Sequence, residues 1–301
     1  MINNIREEFH KVHFDYCAFA QLDFNSNTFI SHSLKKVEKE IADAPHIFYD
    51  LASITKPLTL SVHYLKDTKS FTPDDVLLLN HRGGLPSWGR ISHSNWRNVI
   101  LGYKIYEAPV LYSDYSALRL MLELSPKFKK NFQEECASYW APDVYFWKDL
   151  PAKSESPITG YRQGEAISGV VHDDNAFVID EFCSHAGLFS TIKALSETLL
   201  SLGKKWNLLK ALGEAEKKDK AKNRYILGFD RVTDLEKTLA GKGASIHTFG
   251  HLGFTGTSFW IDLEKSKGTI LLTNGVRGHW YARDQLNGFR RKVGEILWKS
   301  I

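Results

Sequence analysis

The sequence predicts an α+β fold, in which a mainly antiparallel sheet is built from both ends of the chain and helices are inserted between them. Two observations lead to this prediction. Residues 14–22 and 27–33 near one end, and 248–262 and 268–274 near the other, have strand-like composition. The long stretch between them instead has apolar residues at helical spacing, interrupted by turns.

This pattern also predicts how the chain divides into domains. Residues 1–57 and 236–301 are expected to form an α/β sheet domain, and residues 58–235 a mostly helical insertion lobe. No internal repeat or low-complexity segment interrupts either part.

Individual helices are predicted in chain order. Residues 3–12 have the spacing of a short amphipathic helix. An apolar helical pattern follows Pro57, which is tolerated there because the first turn of a helix needs no N–H at that position. Residues 186–202 predict another helix with Ser190 at its N-cap, and residues 283–299 a final amphipathic one.

Composition excludes several functional classes. The chain is 43% apolar and 25% charged, as in an ordinary soluble globular protein, and its net charge of +4 is too small to indicate nucleic-acid binding. The sequence contains no run of about 18 apolar residues, so it predicts no membrane span. The cysteines, Cys17, Cys136 and Cys183, are scattered and predict neither a disulfide framework nor a metal site. Since no secretory signal pattern is present, we expect a cytoplasmic protein.

The pattern Ser-x-x-Lys offers a nucleophile with a mechanism. A lysine one turn after a serine lies on the same helical face, where it can assist removal of the hydroxyl proton. The pattern is weak by itself, because the chain contains four copies: Ser33/Lys36, Ser53/Lys56, Ser190/Lys193 and Ser201/Lys204. Of these, only Ser53 lies between a strand-like segment and a long apolar helix. At Ser53 the residues leave two interpretations open, a nucleophile and a helix N-cap.

Two further patterns provide partners for such a serine. Tyr112-Ser113-Asp114 places a tyrosine that could shuttle protons just before a predicted helix, although a plain helix start explains the same residues. His251-Leu252-Gly253 lies in a strand pattern, and its glycine would let a substrate backbone approach closely. His81 and His185 also precede glycines two residues later, and we expect them to shape loops.

The order S-x-x-K, Y-x-[N/D], [K/H]-x-G resembles the serine hydrolases of the penicillin-binding-protein and class C β-lactamase family. The resemblance extends over most of the chain, from about residue 48 to residue 275. The segments that carry it are DLASITKPL (50–58), LLLNHRGGLP (77–86), VHDDNA (171–176), HAGLFST (185–191) and HLGFTGTSFWID (251–262).

This resemblance implies a five-stranded, mainly antiparallel sheet flanked by helices, with the active site between the sheet and an inserted helical lobe. It implies that Ser53 forms an acyl-enzyme, assisted by Lys56, and that Tyr112 passes the proton to the leaving group. The implied substrate-binding residues are Asp114, His251, Gly253 and Phe254. The backbone N–H groups of Ser53 and Phe254 would form the oxyanion hole.

Three positions depart from the family pattern. Asp114 stands where β-lactamases usually have Asn, and an ionised Asp would keep Lys56 protonated, which would make Tyr112 the better base. His251 replaces a lysine and is a weaker anchor for a carboxylate, since an unperturbed imidazole has a pKa of about 6.5. Leu252 lacks the usual threonine hydroxyl. Arg277 is an alternative anchor, though a surface arginine explains it equally simply.

These observations predict a serine hydrolase that acts through an acyl-enzyme on a small ester or amide. A D-amino-acid-containing peptide is one candidate, on family resemblance alone. The alternatives are a catalytically silent relative that binds a peptide or protein partner, and a true β-lactamase. We expect no metal, no cofactor, no nucleic-acid partner and no membrane span, and the sequence leaves the oligomeric state open. Around His172, Asp173 and Asn175, a hydrogen-bonded loop tie is favoured over a group at the rim of the pocket.

Overall fold

The structure, a computed structural model, describes residues 1–278 and 283–300. Those residues contain thirteen strands and ten α-helices. The strands are β1 (Tyr16–Asp23), β2 (Thr28–Val37), β3 (Glu40–Asp43), β4 (Tyr49–Asp50), β5 (Val144–Phe146), β6 (Gly160–Arg162), β7 (Glu165–Ile167), β8 (Leu188–Ser190), β9 (Tyr225–Ile226), β10 (Phe229–Arg231), β11 (Thr248–Leu252), β12 (Ser258–Asp262) and β13 (Lys267–Thr273). The helices are α1 (Ile2–His10), α2 (Val62–Lys66), α3 (Pro73–Leu79), α4 (Trp96–Leu101), α5 (Asp114–Leu124), α6 (Phe132–Ala137), α7 (Asp174–Ile179), α8 (Ile192–Trp206), α9 (Leu208–Lys218) and α10 (Arg283–Lys299).

Eight of the described strands form one antiparallel sheet in the order β3-β2-β1-β13-β12-β11-β10-β9. The two ends of the chain meet inside this sheet, because β1 pairs with β13 and places Cys17 opposite Thr273. Three of the strands, β3, β9 and β10, have two to four residues, and the other five have five to ten. The α+β class is therefore confirmed, and the five strands expected from the resemblance correspond to the five longer ones.

Helices cover both faces of the sheet because its side chains alternate between two cores. Along β1, Ala18 and Ala20 face a core that includes Leu195 of α8. Their neighbours Cys17 and Phe19 face a second core, built with α1 and α10. In α1 and α10 the residues buried in this second core recur at helical spacing, as the sequence predicts: Ile5, Phe9, Leu286, Phe289, Val293 and Leu297.

A separate apolar cluster holds the helical lobe together and includes buried side chains of α3, α4, α5 and α7. Thr72 and Asp75 form a capping box at the start of α3, with Pro73 in the first turn. Ser113 caps α5, because its Oγ accepts the N–H of Ser116 at 2.8 Å. The helix-start interpretation of the Tyr112-Ser113-Asp114 segment is thus correct, and it leaves Tyr112 just outside the helix.

The segment 186–202 differs from its prediction. Ser190 is the last residue of β8, where it pairs with Tyr49 and Val144, so its backbone is extended. Helix α8 covers Ile192–Trp206 instead of the predicted 186–202, and its cap lies one residue later than predicted, because Thr191 accepts the N–H of Ala194 at 3.1 Å. The predicted cap at Ser190 is therefore wrong, because pairing with two strands outside the segment fixes the Ser190 backbone.

The division into residues 1–57 with 236–301 and residues 58–235 stays a prediction. Two strands of the large sheet, β9 and β10, come from within the segment assigned to the helical lobe. Helix α8, from the same segment, packs on β1 and β2. Among the described helices, none has the combination of length and hydropathy that crossing a bilayer requires.

We expect Leu195→Ala to lower the free energy of unfolding by about 2–5 kcal/mol, because Leu195 is fully buried between α8 and the sheet and its loss leaves a cavity. Urea denaturation measures this change. Lys193→Ala is the matched control on the same helix, since Lys193 is 69% exposed and pairs with Glu197 only at 3.9 Å. The control should stay within about 0.5 kcal/mol of the parent protein. Equal losses in the two variants would contradict this packing.

Candidate active site

Ser53 lies in a short 3-10 turn, Ala52–Ile54, that follows β4 directly. A π-helical turn, Pro57–Ser61, leads from there into α2, so the predicted helix begins with irregular geometry. The Ser53 hydroxyl makes no capping hydrogen bond to either turn. Its oxygen instead accepts a hydrogen bond from Lys56 Nζ at 3.0 Å.

Lys56 is 3% exposed, and its ammonium group has three acceptors. Nζ lies 3.0 Å from Ser53 Oγ, 2.9 Å from the carbonyl oxygen of His185 and 2.7 Å from Asp114 Oδ1. Burial by itself lowers the pKa of Lys56, but Asp114 and Tyr112 outweigh burial, and the pKa lies above its ordinary value. Three acceptors match the three donors of an ammonium, so Lys56 is protonated in this arrangement.

Tyr112 lies against the same ammonium group. Lys56 Nζ is 4.9 Å from the centre of the phenol ring, within the range of a cation–π contact. The phenol oxygen is buried. No described residue meets hydrogen-bonding geometry with it, although Lys56 and Ser53 lie close enough to oppose the change in its pKa. Burial is the largest influence and raises the pKa of Tyr112, so the resting phenol is neutral.

His251 is the last residue but one of β11 and lies beside Tyr112, with the two ring centres 6.0 Å apart. Its Nδ1 lies 2.8 Å from the carbonyl oxygen of Leu252, which can only accept, so Nδ1 carries the proton. Burial, reinforced by the charge of Lys56, lowers the pKa of His251 to about 3. His251 is therefore neutral, and its buried Nε2 has an open lone pair with no partner among the described residues.

The turn after β11 is tied to the turn that carries Ser53. Thr255 Oγ1 donates to the carbonyl oxygen of Asp50 at 2.7 Å, and Thr257 Oγ1 donates to that of Leu51 at 3.1 Å. Gly253 is required at this contact, because a Cβ there would lie 2.6 Å from the Leu51 oxygen and 1.9 Å from Thr257 Oγ1. The close approach brings the backbone of residue 254 to the nucleophile turn.

Two backbone N–H groups remain open where these turns meet. Within the described ranges, neither the N–H of Ser53 nor that of Phe254 donates to another residue. The Phe254 side chain is 42% exposed and stacks on His172, with ring centres 5.4 Å apart. Unbonded backbone N–H groups are the kind of donor from which oxyanion holes are built.

Sequence reasoning missed the part played by His185. Besides its carbonyl bond to Lys56, the buried His185 side chain pairs through Nε2 with Asp173 Oδ1 at 2.9 Å. Burial alone lowers the pKa of His185, but Cys183 and Asp173 outweigh it, and the pKa lies well above the ordinary value. The sequence signal that could have indicated this role is the position of His185 at the start of the HAGLFST segment (185–191), which is one of the segments that carry the family resemblance.

His81 was likewise expected only to shape a loop. It adopts a left-handed backbone conformation with φ +56°, as a loop residue can, but its side chain is buried against the site. Its ring centre lies 4.6 Å from that of Tyr112, and its Nδ1 accepts the N–H of Ser113 at 3.2 Å. His81 therefore fixes the position of the Tyr112 segment.

A loop tie accounts for residues 172–175, the interpretation favoured from sequence. Asp173 caps α7 by accepting the N–H of Ala176, and Asn175 Nδ2 donates to the carbonyl oxygen of Gly89, both at 2.8 Å. His172 belongs to this loop tie because its Nδ1 forms a hydrogen bond with Thr159 Oγ1 at 3.2 Å. Its ring also contacts the ring of Phe254.

Other candidates lie elsewhere. Ser33 with Lys36 lies in β2, and Ser201 with Lys204 lies in α8, outside the group around Lys56. Arg277 is not a free anchor, because it forms an ion pair with Asp15. The three cysteines are buried and unbridged. Over residues 1–278 and 283–300, no group of three or more His, Cys, Asp or Glu side chains is arranged to hold a metal ion.

No protein-family model and no curated protein matches this chain. Solved structures match nearly all of it. A class C β-lactamase from Rhodobacter sphaeroides has a TM-score of 0.63 at 14% identity, over 96% of this chain and 98% of its own. EstCE1, a hydrolase with promiscuous acyltransferase activity, has a TM-score of 0.65 at 11% identity over the same shares. SurE, solved with D-Leu, has a TM-score of 0.60 at 13% identity, over 96% of this chain and 73% of its own.

These identities establish the fold alone. The chain has the β-lactamase/transpeptidase-like fold, so the fold expected from the sequence resemblance is confirmed. It is a fold shared by hydrolases of the β-lactamase and esterase type.

Two of the buried histidines, His251 and His185, lead to a prediction about pH dependence. From about pH 5 to 8, His251 should stay neutral, with its proton on Nδ1. His185 should stay protonated at acidic pH and also at neutral pH. The directions are opposite because Lys56 faces His251, whereas Asp173 pairs with His185. Long-range ¹H–¹⁵N NMR of the imidazole nitrogens, assigned with His251→Gln and His185→Gln, measures both states. A His251 that titrates near its ordinary pKa would contradict the geometry.

Proposed function

We propose that this protein is a serine hydrolase that acts through an acyl-enzyme on small esters or amides. The observation that carries the proposal is the position of Lys56 Nζ, 3.0 Å from Ser53 Oγ and 2.7 Å from Asp114, against the Tyr112 ring. This group combines a hydroxyl, a buried cation and a phenol in one place. The N-cap alternative for Ser53 has no support, since its hydroxyl caps no helix.

Tyr112 is the proposed proton acceptor for Ser53. Lys56 donates to Ser53 Oγ, so the serine proton points elsewhere, and Tyr112 is the neighbouring oxygen without a bonded partner. A protonated Lys56 cannot take that proton, but its charge stabilises the negative charge that develops on the Ser53 oxygen. In the proposed cycle, the Ser53 oxygen bonds to the substrate carbonyl carbon as its proton moves to the Tyr112 oxygen, while the proton that the neutral phenol already carries passes to the leaving group. The bond between the carbonyl carbon and the protonated leaving group then breaks, which leaves the acyl-enzyme with Tyr112 neutral again.

The N–H groups of Ser53 and Phe254 are the proposed oxyanion hole. Both are open among the described residues, and the threonine ties hold their turns together. Donors of this kind stabilise the tetrahedral intermediate, and losing one costs about 2.7–4 kcal/mol of transition-state stabilisation.

The state of His251 favours neutral substrates. Its buried Nε2 offers a lone pair, which can accept from an amide N–H or a hydroxyl but repels a carboxylate. A lysine at this position would offer a positive charge instead. We therefore place esters and amides without a carboxylate at this point ahead of penicillin-like substrates. The D-Leu bound to SurE keeps D-amino-acid peptides among the candidates, provided that their carboxylate lies elsewhere.

Covalent labelling tests the nucleophile. A fluorophosphonate probe should modify Ser53, as located by mass spectrometry of the digested protein, and Ser53→Ala should abolish the adduct. Ser201→Ala is the matched control, because Ser201 begins another Ser-x-x-Lys copy away from the site, and labelling should match the parent protein. Absence of any adduct with both fluorophosphonate and penicillin probes would overturn the proposal and favour a silent binding protein.

Substituting the phenol tests the proton path. Tyr112→Phe keeps the ring against Lys56 but removes the proton acceptor, so acylation by p-nitrophenyl acetate should slow by about 10²–10⁴-fold. Stopped-flow release of p-nitrophenol gives the rate. Tyr115→Phe, in the lobe core three residues away, should change it little. A Tyr112→Phe rate equal to that of the parent would exclude Tyr112 as the base.

A further inference from the structure

Asp50 is a buried carboxylate that the proposed reaction does not use. It is 2% exposed, and both of its oxygens accept backbone N–H groups. Oδ1 accepts from Ala52 at 2.8 Å, and Oδ2 accepts from His172 at 2.7 Å. No described cation forms an ion pair with it. Uncompensated buried carboxylates are costly, so this one requires an explanation.

The first bond acts on the backbone next to the nucleophile. Ala52 has φ +46°, a left-handed conformation that an alanine adopts only under constraint. The Asp50 side chain holds the Ala52 N–H directly, and Ser53 is the next residue along the chain. The direction of the Ser53 N–H therefore depends on this bond.

The second bond acts on the other side of the site. His172, held by Asp50 through its N–H, stacks on Phe254 at 5.4 Å between ring centres. The Asp50 carbonyl oxygen meanwhile accepts the Thr255 hydroxyl at 2.7 Å. Phe254 thus lies between two contacts that both lead to Asp50.

We infer that the Asp50 carboxylate is a positioning residue, which sets the two open N–H groups of Ser53 and Phe254 to receive an oxyanion. The inference rests on the proposed function, because it requires Ser53 to be the nucleophile. Asp50 touches no reacting atom; it acts through Ala52 and His172.

This role makes the site sensitive to pH. An ionised carboxylate accepts strongly on both oxygens, whereas the neutral acid carries a proton on one oxygen, which becomes a donor and a much poorer acceptor, so protonation weakens one of the two bonds. Burial is the largest influence and raises the pKa of Asp50 to about 7, with the two N–H bonds opposing it. The charged or titratable groups that face it are Asp173, which raises this pKa, Arg162, which lowers it, and His172, whose own pKa is lowered.

Other shifted groups of the site move away from neutrality. The pKa values of His81 and His251 are lowered, and those of Lys56 and Tyr112 are raised. As the pH falls through about 7, the Asp50 carboxylate takes up a proton and one of its two hydrogen bonds to the N–H groups is weakened. Activity that depends on it should therefore be present above that pH and decline below it.

The test measures the rate of Ser53 labelling by a fluorophosphonate from about pH 5 to 9 in the parent protein, Asp50→Asn and Asp173→Asn. In the parent, the rate should fall below about pH 7, approaching tenfold per pH unit. Asp50→Asn, which can accept only one of the two N–H groups, should label about 10–10³-fold more slowly at pH 8 and lose the acid decline. Asp173→Asn is the control at a neighbouring, half-buried carboxylate. It should keep the decline but shift it to lower pH, because Asp173 raises the pKa of Asp50.

A second measurement covers the case in which Asp50→Asn does not fold. In parent protein carrying ¹³C-labelled aspartate, the infrared C=O stretch of a protonated carboxylic acid should disappear over the same pH range in which labelling accelerates. A labelling rate independent of pH, or an acid decline retained in Asp50→Asn, overturns this inference while Ser53 remains the nucleophile. No labelling at any pH overturns the proposed function itself, and this inference with it.

Discussion

A buried positive charge at Lys56 sets the strongest constraint on this molecule. A cation removed from water is tolerated only when it is paired and hydrogen-bonded, and removing one partner of such a pair typically costs about 3–5 kcal/mol. The three acceptors of Lys56 come from the 3-10 turn at Ser53, from the start of α5 at Asp114 and from the loop at His185. These three segments are distant in sequence, and each has to reach the same nitrogen atom.

The charge distribution around this point follows from that constraint. Two ion pairs lie in series, Lys56 with Asp114 and His185 with Asp173, linked by the bond from Lys56 to the His185 carbonyl. Burial, together with the positive charge of the nearby Lys56, lowers the pKa of His251 and keeps it neutral. The Lys56 cation is therefore paired with the Asp114 carboxylate, while His251 and Tyr112 beside it are neutral. In the proposed reaction, this cation would stabilise the anion that forms on the substrate.

Local signals predicted much of this structure, and long-range contacts account for the rest. The apolar spacing of α1 and α10 reflects the faces that they bury, and the strand-like segments near both ends became β1, β2 and β11 to β13. Sequence motifs could identify Ser53, Lys56 and Tyr112 as candidate site residues, because the S-x-x-K and Y-x-[N/D] motifs are short and local. It could not find Asp50, whose importance depends on the N–H groups of two separate segments. It also misplaced the helix cap at Ser190, because strand pairing decided that backbone.

The pairing of β1 with β13 has a consequence for how the chain acquires its structure. One inner ladder of the sheet joins residues 17–23 to residues 267–273, so its contacts have very large sequence separation. Contacts of this kind close late, since the entropy of a long loop must be lost first. On a ribosome, β1 can pair with β2 early, but its other edge has no partner until β13 has been made. Chaperone dependence and slow refolding would therefore be natural properties of this topology.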